Sequence, residues 1–409
     1  MTAALAIDVE RLWSDILTTA RFGAFGETGM NRLSLGAADA EVRRWFEAEC
    51  RALGCVVEVD RIGNMFATLP GAKPGLPAIA VGSHLDTQPA GGRFDGILGV
   101  LAGVEILRVL NASGRKLRHP FTVVNWTNEE GSRFSPAMMG SGVFCGVHHI
   151  ADIYARADRD GVTVGAALEV LGYCGAHSPG HLPMAAYLEL HIEQGPVLEA
   201  GGGAVGVVTG VQGICWLDIR IRGTEAHAGA FPMSQRDDAL VAAAKVVLAT
   251  ETVALKHRPG VATVGYIHAS PNSRNVVPGE VHLEIDIRHP DESGLASMQV
   301  ELTEEIVRLA PAAEVSIVWR NAPVHFDSSL RGVIRQEAKE LSLPALDTVS
   351  GAGHDAAHLA SKVPTAMIFI PSRDGLSHNE REYSSPQQCA DGANLLLRSV
   401  LRADELFHG

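Results

Sequence analysis

Four short runs of this 409-residue chain gather side chains that can hold cations or move protons. The first is Ser83-His84-Leu85-Asp86, followed closely by Gly91-Gly92-Arg93-Phe94-Asp95-Gly96. The others are Asn128-Glu129-Glu130-Gly131, His191-Ile192-Glu193-Gln194-Gly195 and Ser377-His378-Asn379-Glu380. Imidazole and carboxylate together suit Zn²⁺ or Mn²⁺. Two adjacent carboxylates at a buried strand end are costly unless something positive lies between them, and a cation pair is the simplest candidate. One Glu can then ligate while the other acts as general base toward a water that the metals activate. Residues two apart on an extended chain point the same way, so Asp86 can stand behind His84 or accept its other ring N–H and fix the tautomer. Taken singly, each run has a plainer reading. A histidine after a strand can simply be a structural hydrogen-bonding residue, Glu-Glu a solvated loop, and Asp95 a helix N-cap.

The elements around these runs favour the joint reading. Ala78–Gly82, Phe121–Thr127, Ala186–Ile192 and Pro364–Ile370 are short apolar runs that predict buried strands. Gly96–Leu110 is long enough for a buried helix, and Ala40–Leu53 has helical spacing. Strands separated by helices predict an α/β sheet with helices on both faces. All four chemical runs then fall at the edge of the sheet where ligands bind in such folds. The middle of the chain reads differently. Ile214–Arg222, Ala262–Ala269, Val281–Arg288 and Glu314–Trp319 predict strands, while Asp237–Thr250 and Asp291–Leu309 predict helices. That order, β-α-β-β-α-β, predicts a ferredoxin-like domain inserted at residues 211–322 between the two parts, 1–210 and 323–409, of the α/β domain.

Bulk properties bound the partners. The net charge of −13 argues against a nucleic-acid or anionic-membrane surface, and leaves room for a small acidic substrate held by local arginines. The six cysteines form no C-x-x-C pair and no zinc or disulfide framework. Scattered thiols, an N-terminus (MTAALAIDVERLW) without leader pattern and the lack of a transmembrane-length apolar run predict a cytoplasmic protein.

Taken in order, the runs SHLD, GGRFDG, Glu129–Phe134 (EEGSRF), HIEQG, Gly223–Gly229 (GTEAHAG) and SHNE resemble the amidase, hydantoinase/carbamoylase family across nearly the whole chain. That family includes N-carbamoyl-L-amino acid hydrolases, β-ureidopropionases and allantoate amidohydrolases, within the dinuclear-metal aminoacylase and carboxypeptidase superfamily. The resemblance implies a metallopeptidase-like catalytic domain with a mixed sheet and an inserted dimerisation, or lid, domain. It implies two divalent ions per subunit (Zn, Mn, Co or Ni) on His84, Asp95, Glu130, His191 and His378, with His84 and His191 one on each metal and Asp95 bridging. Glu129 would be the catalytic base and Asp86 the outer partner of His84. His227 would polarise the substrate carbonyl across a homodimer. Asn275, Arg288, Gln194, Gly353 and His354 would bind substrate, Arg288 by clamping its carboxylate. On sequence alone Arg288 could equally be a surface cation, His227 a polar loop residue and His354 a neighbour of a helix cap. The resemblance implies cleavage of the ureido C–N bond of an N-carbamoyl-L-amino acid. Allantoate or N-carbamoyl-β-alanine are the alternative substrates, and a His at 191 and the Asn275/Arg288 pair argue against a peptidase.

Overall fold

The computed structural model describes residues 5–407. Met1 to Ala4, part of the stretch searched for a leader, lie outside them. The chain divides into two compact units, Met1–Thr209 with His325–Gly409, and Gly210–Val324.

Among the described residues, the first unit is built on a nine-stranded mixed sheet. Its centre is four mutually parallel strands in the order Phe121–Trp126, Ala78–His84, Met184–Ile192, Thr365–Ile370. On one flank Met65–Leu69 and Val56–Val59 add antiparallel, and on the other Val205–Val211 does so. Every residue of three central strands is buried, as is all but Ala185 of the fourth. Side chains pointing to either face are buried alike, so both faces are covered, and the sequence shows continuous apolar runs instead of alternation. Helix Ile97–Ser113 is apolar nearly all round and packs on the strands Ala78–His84 and Met184–Ile192. Helix Pro386–Leu406, opened by a Ser385/Gln388 capping box, also packs on the sheet.

Parallel strands end at one edge. Ala78–His84 runs further than the apolar pattern suggests and carries His84 as its last residue. Met184–Ile192 holds His191 one residue before its end. Glu129 and Glu130 follow Trp126, and His378 lies in the loop after Ile370.

The second unit has four antiparallel strands in the order Val261–Ser270, Glu280–His289, Gly213–Arg222, Glu314–Asn321. With helices Ala239–Lys256 and Glu292–Leu309 this is the ferredoxin-like connectivity. Its strands alternate buried and accessible residues, because the helices cover one face. Val281, Leu283, Ile285 and Ile287 are buried, while His282, Glu284, Asp286 and Arg288 face the other way.

Candidate metal centre

Asp95 is the hub of the strand-end cluster. Its Oδ1 lies 3.5 Å from His84 Nε2 and 3.2 Å from His191 Nε2. Its Oδ2 lies 3.4 Å from His378 Nε2, which is 3.5 Å from Glu130 Oε2. Two potential ligand triads result, His84–Asp95–His191 and Asp95–Glu130–His378, each with its donor atoms within 4.8 Å of one another. The resemblance implied His84 and His191 on different metals, whereas the geometry groups them in one triad. The adjacent parallel strands that carry them bring both rings to the same carboxylate oxygen, and His378 with Glu130 serve the other.

Outer hydrogen bonds aim these rings. His84 Nδ1 lies 2.9 Å from the Asp86 carbonyl and His191 Nδ1 lies 2.9 Å from the Ile192 carbonyl. A carbonyl can only accept, so each Nδ1 carries a proton and each Nε2 is left facing Asp95. Asp86 thus orients His84 through its backbone. Its carboxylate is 3.9 Å from Nδ1 and instead accepts the N–H groups of Glu129 and Glu130, both at 3.3 Å. That contact fixes the Glu-Glu turn against the strand that carries His84.

The Asp95 loop is held by groups that sequence reasoning missed. Glu382 accepts the N–H of Phe94 at 3.0 Å and of Asp95 at 3.1 Å, and the hydroxyl of Ser377 at 2.9 Å. Gln88 donates to Glu130 from its backbone at 3.0 Å and its side chain at 2.8 Å. Buried Arg32 donates to the Leu85 carbonyl at 2.6 Å, steadying the residue before Asp86. The only sequence signal of Gln88 and Glu382 was lying two residues beyond SHLD and SHNE, and Arg32 had none. Gly96, at φ 68°, caps helix Ile97–Ser113, and a Cβ there would sit 2.3 Å from the His84 ring. No side chain caps this helix, which removes the reading of Asp95 as its N-cap.

The electrostatics fit a cation pair. Asp95 Oδ1 is buried with no hydrogen-bond partner. Burial alone would raise the Asp95 carboxyl, but His191, His378 and His84 outweigh it and hold it well below its ordinary value. Burial pushes Glu130 up to about 7, and nearby Asp95 adds to this. Glu129 is pushed well above the usual carboxylate range by burial and by the carboxylates of Asp355, Glu130 and Asp86, against the opposing His84. Its Oε2 lies 3.5 Å from His84 Nε2 and it makes no direct contact with Asp95 that would mark it as part of either triad.

The remaining candidates fall in three places. Gln194, at φ 60°, donates from its side-chain amide to Asp95 Oδ2 at 2.8 Å and to Ser377 at 3.2 Å, which places the expected substrate contact beside the hub carboxylate. His354 is buried edge-on against His191, with ring centroids 4.5 Å apart, and Gly353 beside it is exposed. Burial and the His191 neighbour hold the His354 ring well below its ordinary value. His227, Asn275 and Arg288 belong to the second unit. His227 and Asn275 sit together on a short ribbon, Ala226–His227 with Val276–Val277. His227 Nδ1 accepts the N–H groups of Gly229 and Ala230, which leaves Nε2–H as an exposed donor. Arg288 stands on the open face of its sheet, paired with Asp286 at 2.7 Å.

Comparison with known proteins places the chain. The family description "Peptidase family M20/M25/M40" matches residues 80–402. The chain belongs to this family, in its hydantoinase/carbamoylase branch. The N-carbamoyl-L-amino-acid amidohydrolase of Rhizobium meliloti is 44% identical over 405 residues, covering 98% of this chain and 97% of that protein. The ureidoglycolate hydrolase of Arabidopsis thaliana is 33% identical over 97% of this chain and 87% of its own length. The crystal structure of an amidase of the hydantoinase/carbamoylase family from Burkholderia multivorans superposes with a TM-score of 0.95 at 44% identity, covering 98% of each chain. The M20 chain described here is thus a hydrolase of amide or ureido C–N bonds.

Proposed function

We propose that this M20-family enzyme cleaves the ureido C–N bond of N-carbamoyl-L-amino acids, releasing the amino acid, carbon dioxide and ammonia. The observation that carries the proposal is the pair of triads sharing Asp95, with Glu129 beside His84 but outside both. His84, Asp95 and His191 would hold one divalent ion, and Asp95, Glu130 and His378 a second; zinc, manganese, cobalt and nickel all suit this donor set. Bound there, the ions would supply Lewis acidity and bring a water's pKa toward neutrality.

Glu129 is the base. It accepts a proton from the attacking water and returns it to the leaving nitrogen as the C–N bond breaks. Burial raises its pKa, so its ionised form is a stronger proton acceptor than an exposed carboxylate. The carbamic acid formed then loses carbon dioxide. Gln194 holds Asp95 Oδ2 and Glu382 the Asp95 backbone N–H. We assign His227, through Nε2–H, to the developing oxyanion, and Arg288 with Asn275 to the substrate carboxylate. Gly353 and His354 would line the pocket. We further propose a cytoplasmic homodimer in which His227 is supplied across subunits. Support comes from Val241, Leu248 and Leu255, exposed apolar residues seven apart along one helix of the second unit. No described helix is long and apolar enough to cross a membrane.

The ureidoglycolate hydrolase relative keeps a second reading open, an allantoate-type or β-ureido acid substrate at the same site. One panel separates them. The enzyme with Mn²⁺, Co²⁺ or Zn²⁺ is offered N-carbamoyl-L-amino acids, N-carbamoyl-β-alanine, allantoate, ureidoglycolate and a dipeptide. Ammonia from the first class alone is the expected result. Preferential turnover of allantoate, ureidoglycolate or the β-alanine derivative would replace the proposal with the second reading.

A further inference from the structure

A second group of potential ligands lies in the first unit and shares no residue with the Asp95 cluster. Glu58 stands on the edge strand Val56–Val59. His177 and His181 stand in the loop between helix Val164–Leu171 and strand Met184–Ile192. His177 Nε2 is 3.1 Å from Glu58 Oε1, and His181 Nε2 is 3.9 Å from Glu58 Oε2. The two imidazoles are stacked, with centroids 4.5 Å apart and planes at 22°. One donor atom from each of the three residues lies within 4.8 Å of the others.

Two features set this group apart from a chance surface cluster. The first is that neither ring nitrogen of His181 has a hydrogen-bond partner, although both are buried from solvent. Polar atoms in that position normally have a partner. The ring is wedged edge-on against Phe66 at 5.1 Å, so it cannot swing out to find one cheaply. Burial and the His177 neighbour lower His181 against the opposing Glu58 and Ser178 backbone, which favours the neutral ring. The second is that the loop is tied to the edge strand by its backbone. The Arg61 N–H donates to the His177 carbonyl at 2.9 Å, and the Gly175 N–H to the Asp60 carbonyl at 3.1 Å. Arg61 also donates to the Ser178 hydroxyl at 2.6 Å. A Cβ at Gly175 would lie 1.9 Å from the Val59 carbonyl oxygen, so only glycine allows this approach. The three side chains are thus presented from a braced backbone.

We propose that Glu58, His177 and His181 form a further divalent-cation site that clamps the edge strand Val56–Val59 to the loop leading into the strand that carries His191. Two imidazoles and one carboxylate select a borderline cation of the zinc class over magnesium or calcium, which prefer all-oxygen sites. Three protein ligands leave a position for water. The role is structural: the ion fastens a sheet edge and takes no part in turnover.

The test counts zinc. Wild-type protein, His177→Gln and Glu58→Gln are each dialysed against excess Zn²⁺, and bound metal per chain is measured by mass spectrometry of the metal. Each variant should bind one equivalent fewer than wild type, with kcat unchanged. His177 is well exposed, so its replacement should leave folding intact. A zinc-soaked wild-type crystal should show an anomalous peak among the three side chains. Equal stoichiometry in wild type and both variants, or no peak in the soaked crystal, overturns the proposal. Neither result depends on which substrate the Asp95 centre cleaves.

Discussion

In the first unit the candidate ligands stand at the ends of strands buried on both faces, whereas in the second unit Arg288 and His227 stand on a half-open sheet and a two-residue ribbon. The first setting makes charge expensive, and its candidate ligands are aimed by neighbouring groups. His84 and His191 are aimed by carbonyls, the Glu129–Glu130 turn by Asp86, and the Asp95 loop by Glu382. The second setting leaves its groups to local, exchangeable partners. Arg288 pairs with Asp286, both partly accessible, and such pairs are worth little. Rigid placement thus marks the groups proposed to hold cations and move protons, and adaptable placement those proposed to meet the substrate.

The sharpest way to break this contrast is at Glu129. Glu129→Gln should keep metal content and lower kcat by roughly 10²–10⁴-fold, the usual contribution of a general base. Parallel metal analysis and steady-state kinetics decide it, and near wild-type turnover would remove Glu129 from the mechanism. Next comes Arg288. Arg288→Lys keeps the charge but loses the planar fork, so KM should rise about tenfold to a hundredfold with kcat little changed. A fall confined to kcat would show that Arg288 acts on the reacting centre instead.

Glu382 tests the outer layer of the buried site. Glu382→Gln weakens the acceptor for the Phe94 and Asp95 N–H groups and should reduce metal affinity roughly 10–100-fold, read by competition with a chelating dye. Unchanged affinity would mean that the loop holds Asp95 unaided.

The smallest effect is expected at His358, which the Ser141 hydroxyl meets at 3.0 Å. Burial, with His148 nearby, lowers it from 6.5 to about 4. The unfolded chain therefore binds its proton more readily. The benefit of the neutral ring is complete above pH 6.5 and is lost as pH falls toward 4. The shift caps this at about 3 kcal/mol, and partial access of water reduces it. Thermal melts across that window should slope less for His358→Gln than for wild type; parallel slopes would exclude the histidine as the source.

Much of this was legible before any coordinates. The continuous apolar runs Ala78–Gly82, Phe121–Thr127 and Ala186–Ile192 located the strands and the edge at which they end, because a strand covered on both faces must be apolar throughout. Alternation in Ile214–Arg222 marked the second unit, because one face of its sheet is open. Pattern cannot report which atoms meet. Asp86 faces His84 with its carbonyl and the Glu-Glu turn with its carboxylate, a division set by loop geometry. Gln194 reached Asp95, and Glu382 reached the Asp95 backbone across 287 residues of chain. The amino-acid sequence by itself determined the ligand types and the strand ends that present them, since burial periodicity is local. Only the tertiary structure decided that His84 and His191 share one oxygen of Asp95 while His378 and Glu130 serve the other, because that pairing depends on strand order and loop return, which no local pattern encodes.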